Sequence, residues 1–167
     1  MYLPYLRGRQ NELLCLRELL DTGKLSQKVI PIIEPVKFSS TLFSTLSKFN
    51  EMNHPVIVVR NPKVGLFRDE LKEMKNRIDE TDEKKKEKLK LMVDGYQKVW
   101  NDEHLQRAYL VDDNVIKKIE NNKMNAHDTV MINLDRENYH YYEEYGEEIF
   151  GKYTLVPKGG DFEDIVE

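Results

Sequence analysis

The amino-acid sequence predicts an α/β fold with a mostly parallel sheet and flanking helices. Short apolar runs recur along the chain, and nearly all of them end in a charged or amide residue. Runs without polar alternation are typical of strands buried on both faces, as in parallel sheets covered by helices. Segments with helical period separate the runs, which favours right-handed crossovers. The pattern fits a partial TIM-barrel-like sheet, and a flavodoxin-like open sheet is the alternative.

Five strands are predicted, each followed by a polar residue at which the strand leaves the core. The runs and the polar residues after them are 29–33 before Glu34, 56–59 before Arg60 and Asn61, 108–111 before Asp112 and Asp113, 130–134 before Asp135, and 153–156 before Pro157 and Lys158. Because the carboxyl ends of parallel strands meet at one edge of a sheet, we expect these polar side chains to lie near a common rim.

The first predicted helix covers residues 11–20. Leu13, Leu16 and Leu20 lie on one face of it, and Gly23 suits a left-handed cap after its end. The single cysteine, Cys15, falls within this apolar pattern, so we predict a small buried hydrophobe rather than a nucleophile. A single cysteine also leaves no internal disulfide, which fits a reducing compartment.

Helical periodicity recurs in later segments. Ser39 or Ser40 is the expected N-cap of the second helix. The region at about 67–101 is interpreted as a charged helical hairpin inserted into the fold, because Lys and Glu of opposite sign interleave there at helical spacing. A short helix follows from Asp113 or Asn114, and an aromatic, acidic helix is predicted over 137–150. No low-complexity linker divides the chain, so we predict a single domain over residues 1–167.

The composition limits the classes of function. The chain has 167 residues, of which 40% are hydrophobic, and this is enough for the core of one domain. Its net charge of -4, with both signs mixed along the helices, argues against binding to nucleic acid or to a membrane surface. No apolar stretch approaches the length of a membrane span, and the first residues lack the pattern of a secretory signal. We therefore predict a cytoplasmic protein.

The predicted rim contains three candidate catalytic carboxylates, Glu34, Asp112 and Asp135. Carboxylate oxygens bind divalent cations such as Mg²⁺, and a carboxylate can act as a general base toward water. Glu34 is the most informative of the three, since a carboxylate between Ile33 and Pro35 at a buried strand end needs a partner. The same residues also fit a purely structural role, because every buried strand must leave the core through polar residues.

Candidate ligand-binding residues accompany these carboxylates. Arg60, Asn61 and Lys158 follow predicted strands, and the two cations could hold a phosphate between them. Arg7 and Arg9 precede the first helix and could present an anion-binding turn, although a surface turn at the helix entry is the alternative. The four histidines, which are His54, His104, His127 and His140, lack metal-ligand spacing and are predicted to be surface or turn residues. The sequence predicts no resident metal.

Three segments near the start of the chain resemble a known family. They are YLPYLRGRQ at 2–10, IPIIEPV at 30–36 and VVRNPKVG at 58–65, with EL at 12–13 and LREL at 16–19 between the first two. Together they resemble the N-terminal signature of the phage beta-protein family. The resemblance implies a barrel-like arrangement of strands and helices, no established reaction, and a setting in phage–host conflict. Family members are longer, so we expect this chain to correspond to their N-terminal portion, as a natural half, a fragment or a shortened relative.

Two hypotheses about function follow. The first is an interaction or ligand-binding protein of phage–host conflict, acting in defence or counter-defence without a cofactor. An incomplete barrel exposes strand edges, so we expect a protein partner or a homo-oligomer, with an apolar patch around Tyr142 and Tyr145 as the contact surface. The alternative is a metal-assisted phosphoester or nucleotide hydrolase that uses the acidic and basic rim. The sequence alone does not decide whether the protein is an enzyme.

Overall fold

The computed structural model describes residues 1–80 and 82–166, and the side chains of residues 79, 80, 164 and 166 lie outside the description. Strands and helices alternate along the chain. The elements are β1 (Tyr5–Gly8), α1 (Gln10–Asp21), β2 (Ile32–Pro35), α2 (Ser40–Glu51), β3 (Val56–Val59), α3 (Phe67–Glu80), α4 (Glu83–Trp100), β4 (Leu105–Leu110), α5 (Asp113–Glu120), β5 (Val130–Ile132), α6 (Tyr139–Tyr145), β6 (Tyr153–Leu155) and α7 (Glu163–Val166).

The six parallel strands form one sheet in the order β1-β2-β3-β4-β5-β6. Successive strands of the chain are therefore neighbours, which is the order of a (β/α) barrel, whereas a flavodoxin-like sheet has the order 2-1-3-4-5. The α/β prediction with a partial barrel order is confirmed, and the flavodoxin-like alternative does not fit. Every residue of β2, β3 and β5 is buried, as expected for strands covered on both faces.

The chain folds as two compact units. Unit 1 comprises Met1–Val58 and Pro62–Gln106, and unit 2 comprises Val59–Asn61 and Arg107–Glu167. In unit 1, the helices α1 and α2 bury a leucine and phenylalanine face against Ile33, Val56 and Val58. In unit 2, Met131 and Val111 pack with residues of α5, α6 and the segments after them, including Ile116 and Phe162.

The helix boundaries follow the local sequence signals. The Oγ atom of Ser39 accepts a hydrogen bond from the Leu42 amide at 3.3 Å, which confirms the predicted N-cap of α2. Gly23 has φ +64° after the end of α1, as its proposed cap role requires. The predicted charged hairpin corresponds to α3 and α4, and Thr81, which falls inside the predicted charged segment, lies outside the described residues.

Three predictions at the level of single elements are wrong. Strand β1 was not expected, because Arg7 and Gly8 looked like part of a turn before the first helix. Cys15 is exposed, because the 100° step of an α-helix carries it away from the face of α1 that Leu13 and Leu16 bury. The last long helix is shorter than predicted: α6 ends at Tyr145, and Gly146 with φ +52° begins a short 3-10 segment.

His54, predicted to be a surface or turn residue, lies in the connection between α2 and β3 but is buried there. It is 6% exposed, and its ring nitrogens lie 3.0 Å from the carbonyl oxygen of Pro55 and 3.2 Å from that of Ser26. The other three histidines are exposed, as predicted. The buried ring therefore ties the segment before β3 to the segment before β2 within unit 1.

Candidate functional site

Glu34 lies at the end of β2 in unit 1 and is 1% exposed. The Tyr5 hydroxyl donates a hydrogen bond to its Oε2 at 2.6 Å, and the Lys63 amide donates to its Oε1 at 2.9 Å. Both carboxylate oxygens therefore have a donor, as a buried acid requires. Burial and, after it, the bond to Glu34 raise the pKa of Tyr5 well above its ordinary value, so this hydroxyl keeps its proton.

The loop after β3 places the Lys63 amide against Glu34. Gly65 has φ +72° in this loop, and a Cβ atom on it would lie 2.3 Å from the carbonyl oxygen of Val36. The Leu66 amide donates to the same carbonyl at 2.8 Å. Only a residue without a side chain allows this close approach, so Gly65 fixes the loop that supports the buried carboxylate.

The two arginines near the start of unit 1 do not form a closed anion site in the described structure. Arg7 is exposed on β1, and Arg9 is exposed at the N-cap of α1. The Arg9 amide donates to the carboxylate of Glu12 at 3.2 Å, which caps the helix. Their predicted ligand-binding role stays a prediction.

Asn61 of unit 2 joins the end of β3 to β4. Its Nδ2 donates to the Leu110 carbonyl at 2.8 Å, and its Oδ1 accepts from the Leu110 amide at 2.8 Å. Asn61 is 6% exposed, so this amide continues the ladder in a buried place. Next to it, burial and then the charge of Arg107 lower the pKa of Arg60 to about 10.

The two candidate catalytic aspartates, Asp112 and Asp135, both cap helical segments in unit 2. Oδ1 of Asp112 accepts from the Val115 amide at 2.9 Å at the start of α5. Oδ1 of Asp135 accepts from the Glu137 amide at 3.0 Å at the start of a 3-10 segment. Both carboxylates thus already satisfy backbone donors at helix N-termini. Lys158 contributes its carbonyl, which accepts from Arg136 at 2.8 Å, while its side chain is exposed.

Sequence reasoning missed a pair of asparagines after β5. Asn133 is 2% exposed, and its Oδ1 accepts from the Asp135 amide at 3.2 Å and from Nδ2 of Asn138 at 3.0 Å. Asn138 also donates to the carbonyl of Val111 at 3.2 Å. The available signal was Asn133 itself, a polar residue inside the otherwise apolar run 130–134.

The candidate residues divide between the two units. Unit 1 holds Glu34, Arg7 and Arg9, and unit 2 holds Arg60, Asn61, Asp112, Asp135 and Lys158. In the part of the chain that the structure describes, no three His, Cys, Asp or Glu side chains come together as a metal-binding group. A common catalytic rim therefore stays a prediction.

The prediction of an exposed apolar patch around Tyr142 and Tyr145 is wrong. Tyr142 is 5% exposed and belongs to the core of unit 2, where burial raises the pKa of its hydroxyl. Tyr145 packs against that core and donates to the carboxylate of Glu120 at 2.6 Å, a bond that raises the pKa of Tyr145 to about 12. The aromatic residues of α6 thus serve packing in unit 2.

A different aromatic cluster forms an open pocket in unit 1. It lies where α3 and α4 pack with α2, and its cavity has a volume of about 340 Å³. We call it the aromatic pocket, and its lining residues are Phe38, Phe43, Phe67, Leu71, Lys75, Tyr96, Gln97, Trp100 and Asn101. Phe43 and Tyr96 stack with their ring centroids 4.1 Å apart, and Phe67 and Trp100 stack at 5.1 Å.

A second exposed apolar feature of unit 1 is the N-terminal edge, which we define as residues 1–8. Strand β1 stands at the end of the strand order, so β2 is its one strand neighbour among the residues described. The pairing extends upstream, since the Tyr2 amide donates to Lys28 at 2.8 Å and the Ile32 amide donates to Pro4 at 2.8 Å. Met1 and Tyr2 are 68% and 66% exposed, and residues 3–6 are partly exposed.

Comparisons of the chain with protein-family models, with curated protein sequences and with solved structures gave no match. The resemblance of residues 2–65 to the phage beta-protein family therefore stays a prediction. None of the helices within the described ranges combines the length and the apolar character needed to cross a bilayer.

Proposed function

We propose that this protein is an interaction protein that pairs its N-terminal edge with another protein chain. The partner that we propose is a second copy of the same chain. The observation that carries the proposal is the long apolar edge of the sheet. Residues 2–8 pair with the segment 28–35 on one side, and β1 is the last strand on the other. Proteins normally cover or pair such an edge, because its backbone groups would otherwise join any strand that approaches.

The backbone geometry of the edge supports pairing. The carbonyl group of Tyr2 accepts a hydrogen bond from the Ile30 amide just before β2, and that of Pro4 accepts one from the Ile32 amide within β2. Alternate residues of a strand turn their backbone groups to opposite sides, so Leu3 and Tyr5 direct theirs away from β2. The one proline of this edge, Pro4, lacks its N–H on the side of β2 and removes no outward donor. Two copies related by a twofold axis would pair these edges in antiparallel fashion.

The carboxylates support binding rather than hydrolysis. Asp112 and Asp135 each accept a backbone N–H at the start of a helical segment, and Glu34 accepts from Tyr5 and Lys63. These bonds give each of the three carboxylates a structural role, which favours the binding hypothesis over hydrolysis. The setting in phage–host conflict and the cytoplasmic location belong to the same proposal, and the former rests on the resemblance of residues 2–65.

Light scattering after size-exclusion chromatography tests the proposal. The purified chain should have twice the mass of one chain at micromolar concentration. Tyr2→Lys places a charge on the edge and should give the mass of a monomer with an unchanged melting temperature. Leu91→Lys is the matched control, because Leu91 is 68% exposed on α4, far along the chain from the edge, and should leave the dimer intact.

A second pair of variants separates backbone pairing from side-chain packing. Leu3→Pro removes an outward N–H and should abolish the dimer, while Leu3→Ala keeps that N–H and should retain most of it. A wild-type chain that is monomeric up to about 100 μM, or a dimer that survives both Tyr2→Lys and Leu3→Pro, contradicts the proposal.

A further inference from the structure

The walls of the aromatic pocket are fixed by ring contacts. Phe43 and Tyr96 lie nearly parallel, with 8° between their planes, and Phe38 meets both rings edge-on at 5.1 and 5.5 Å. Phe67 stacks on Trp100, and it also contacts Phe38 with the ring centroids 5.9 Å apart. Offset and edge-on contacts of this kind are the favoured geometries of aromatic pairs, so the rings hold one another in place.

The backbone around the pocket is also anchored. The Phe38 amide donates to the carboxylate of Glu70 at 2.7 Å, which ties the loop before α2 to the first turns of α3. Phe43 and Phe67 are buried at the back of the pocket, while Phe38, Tyr96 and Trp100 are partly exposed. A ligand that enters therefore meets preformed aromatic faces and need not order them, which lowers the entropic cost of binding.

The size and lining of the cavity fit a small molecule. Ligand sites are mostly clefts of roughly 300–1,000 Å³, with apolar and aromatic walls and a few polar groups that fix orientation. The aromatic pocket has a volume of about 340 Å³. This is room for one fused ring system or one aromatic side chain.

The polar groups at the pocket indicate the charge of the ligand. Among the described residues that line it, Lys75 is the one that carries a charge, and Gln97 and Asn101 add neutral amides. A cage for an organic cation would also use aromatic faces. The Lys75 ammonium would repel such a cation, and it would attract an anionic substituent on a ring held in the pocket.

We propose that the aromatic pocket of unit 1 binds a small planar aromatic anion, with its ring against Tyr96 and Trp100 and its anionic group directed to Lys75. The amides of Gln97 and Asn101 donate to or accept from the remaining polar atoms of the ligand. This site is separate from the N-terminal edge, and its ligand does not depend on the proposed self-association.

Three ligands with the same ring system test the inference: 2-naphthoate as the anion, 2-naphthamide as the neutral analogue, and 2-naphthylmethylammonium as the cation. Isothermal titration calorimetry gives the affinity of each. Trp100 is the only tryptophan of the chain, so quenching of its fluorescence reports binding at the pocket itself. We expect 2-naphthoate to bind about two- to fivefold more tightly than 2-naphthamide, which is the gain from one solvent-exposed ion pair. The cation should bind most weakly.

Lys75→Gln should remove the preference for the anion and leave the affinity for 2-naphthamide unchanged. Lys72→Gln is the matched control, because Lys72 is an exposed lysine on the same helix that does not line the pocket, and it should keep the preference. Circular dichroism confirms that both variants are folded. The inference is overturned if none of the three ligands binds at millimolar concentration, if the wild type shows no charge preference, if binding leaves Trp100 emission unchanged, or if both lysine variants lose the preference equally.

Discussion

Replacing Asn61 should be among the most destabilising changes to a polar side chain in unit 2. The Asn61 amide makes two hydrogen bonds of 2.8 Å to the backbone of Leu110, in a place where both residues are buried. Asn61→Ala leaves the N–H and the C=O of Leu110 without these partners. A buried polar group left unsatisfied costs about 1–3 kcal/mol, so we expect a loss of about 2–6 kcal/mol from the two groups together.

Asn61→Asp separates the two bonds. The carboxylate still accepts from the Leu110 amide, but it turns a second oxygen toward the Leu110 carbonyl. Repulsion and burial disfavour the charged form and raise the pKa of the new carboxyl in the folded state. Above about pH 4, the pKa of this carboxyl in the unfolded chain, the unfolded chain loses the proton while the folded chain still holds it. The variant protein therefore becomes less stable as the pH rises through about 4. At lower pH the protonated acid donates to the carbonyl as the amide did.

Urea unfolding followed by far-ultraviolet circular dichroism measures both effects. At pH 7 both variants should lose several kcal/mol, and at pH 4 the difference between Asn61→Asp and wild type should shrink while that of Asn61→Ala stays. Asn114→Ala, at an exposed position of α5, is the control and should change stability by less than about 0.5 kcal/mol. A cost below about 1 kcal/mol for Asn61→Ala, or a cost of Asn61→Asp that does not depend on pH, would refute the reasoning.

Three other outcomes are expected. Tyr5→Phe and Glu34→Gln, made singly and together, should show a coupling free energy of about 1–3 kcal/mol in urea unfolding, because the two side chains share a partly buried hydrogen bond of 2.6 Å. Additive effects of the two substitutions would count against this coupling. Because the pKa values of Tyr5 and Tyr142 are raised in the folded protein, these hydroxyls ionise at a lower pH in the unfolded chain than in the folded one, and stability should fall above about pH 10. Titration followed by tyrosinate absorbance should show fewer ionising tyrosines in the native protein than in urea. Gly65→Ala should lower the free energy of unfolding by about 1–3 kcal/mol. Gly23→Ala should lower it by less, because φ is also positive there but no atom lies within 4 Å of the new Cβ. Equal losses of stability in the two variants would exclude the steric argument.

The apolar runs carried most of the information about the sheet. Strand β3 covers the residues predicted for it, 56–59, because four consecutive β-branched apolar residues have few other ways to be buried. Strand β4 begins at Leu105, three residues before its predicted start, since Gln106 and Arg107 interrupt the run with side chains that are not fully buried. Strand β1 contains no comparable run, and its conformation depends on pairing with β2, which no local pattern reports.

The candidate site was harder to predict from the sequence than the sheet was. The position of Asp112 after a strand predicted a polar rim, and the predicted helix start at Asp113 or Asn114 includes the observed start of α5 at Asp113. Asp112 directly precedes that start and is the N-cap of α5, a role that the sequence analysis did not assign to it. The rings of the aromatic pocket come from four separate segments. Phe43, Phe67, Tyr96 and Trp100 have the spacing of core residues within their helices, and Phe38 lies in the loop before α2. The opening between the rings therefore follows only from how these segments pack.

The division of the chain also bears on how the protein can be dissected. Unit 2 takes Val59–Asn61 from the middle of the sequence that otherwise builds unit 1. Expressing residues 107–167 alone would omit Asn61, and the backbone N–H and C=O of Leu110 would then lack their two hydrogen bonds to the Asn61 side chain. A fragment that begins near residue 107 should therefore melt less cooperatively than unit 2 does in the full chain, unless the segment 59–61 is supplied with it.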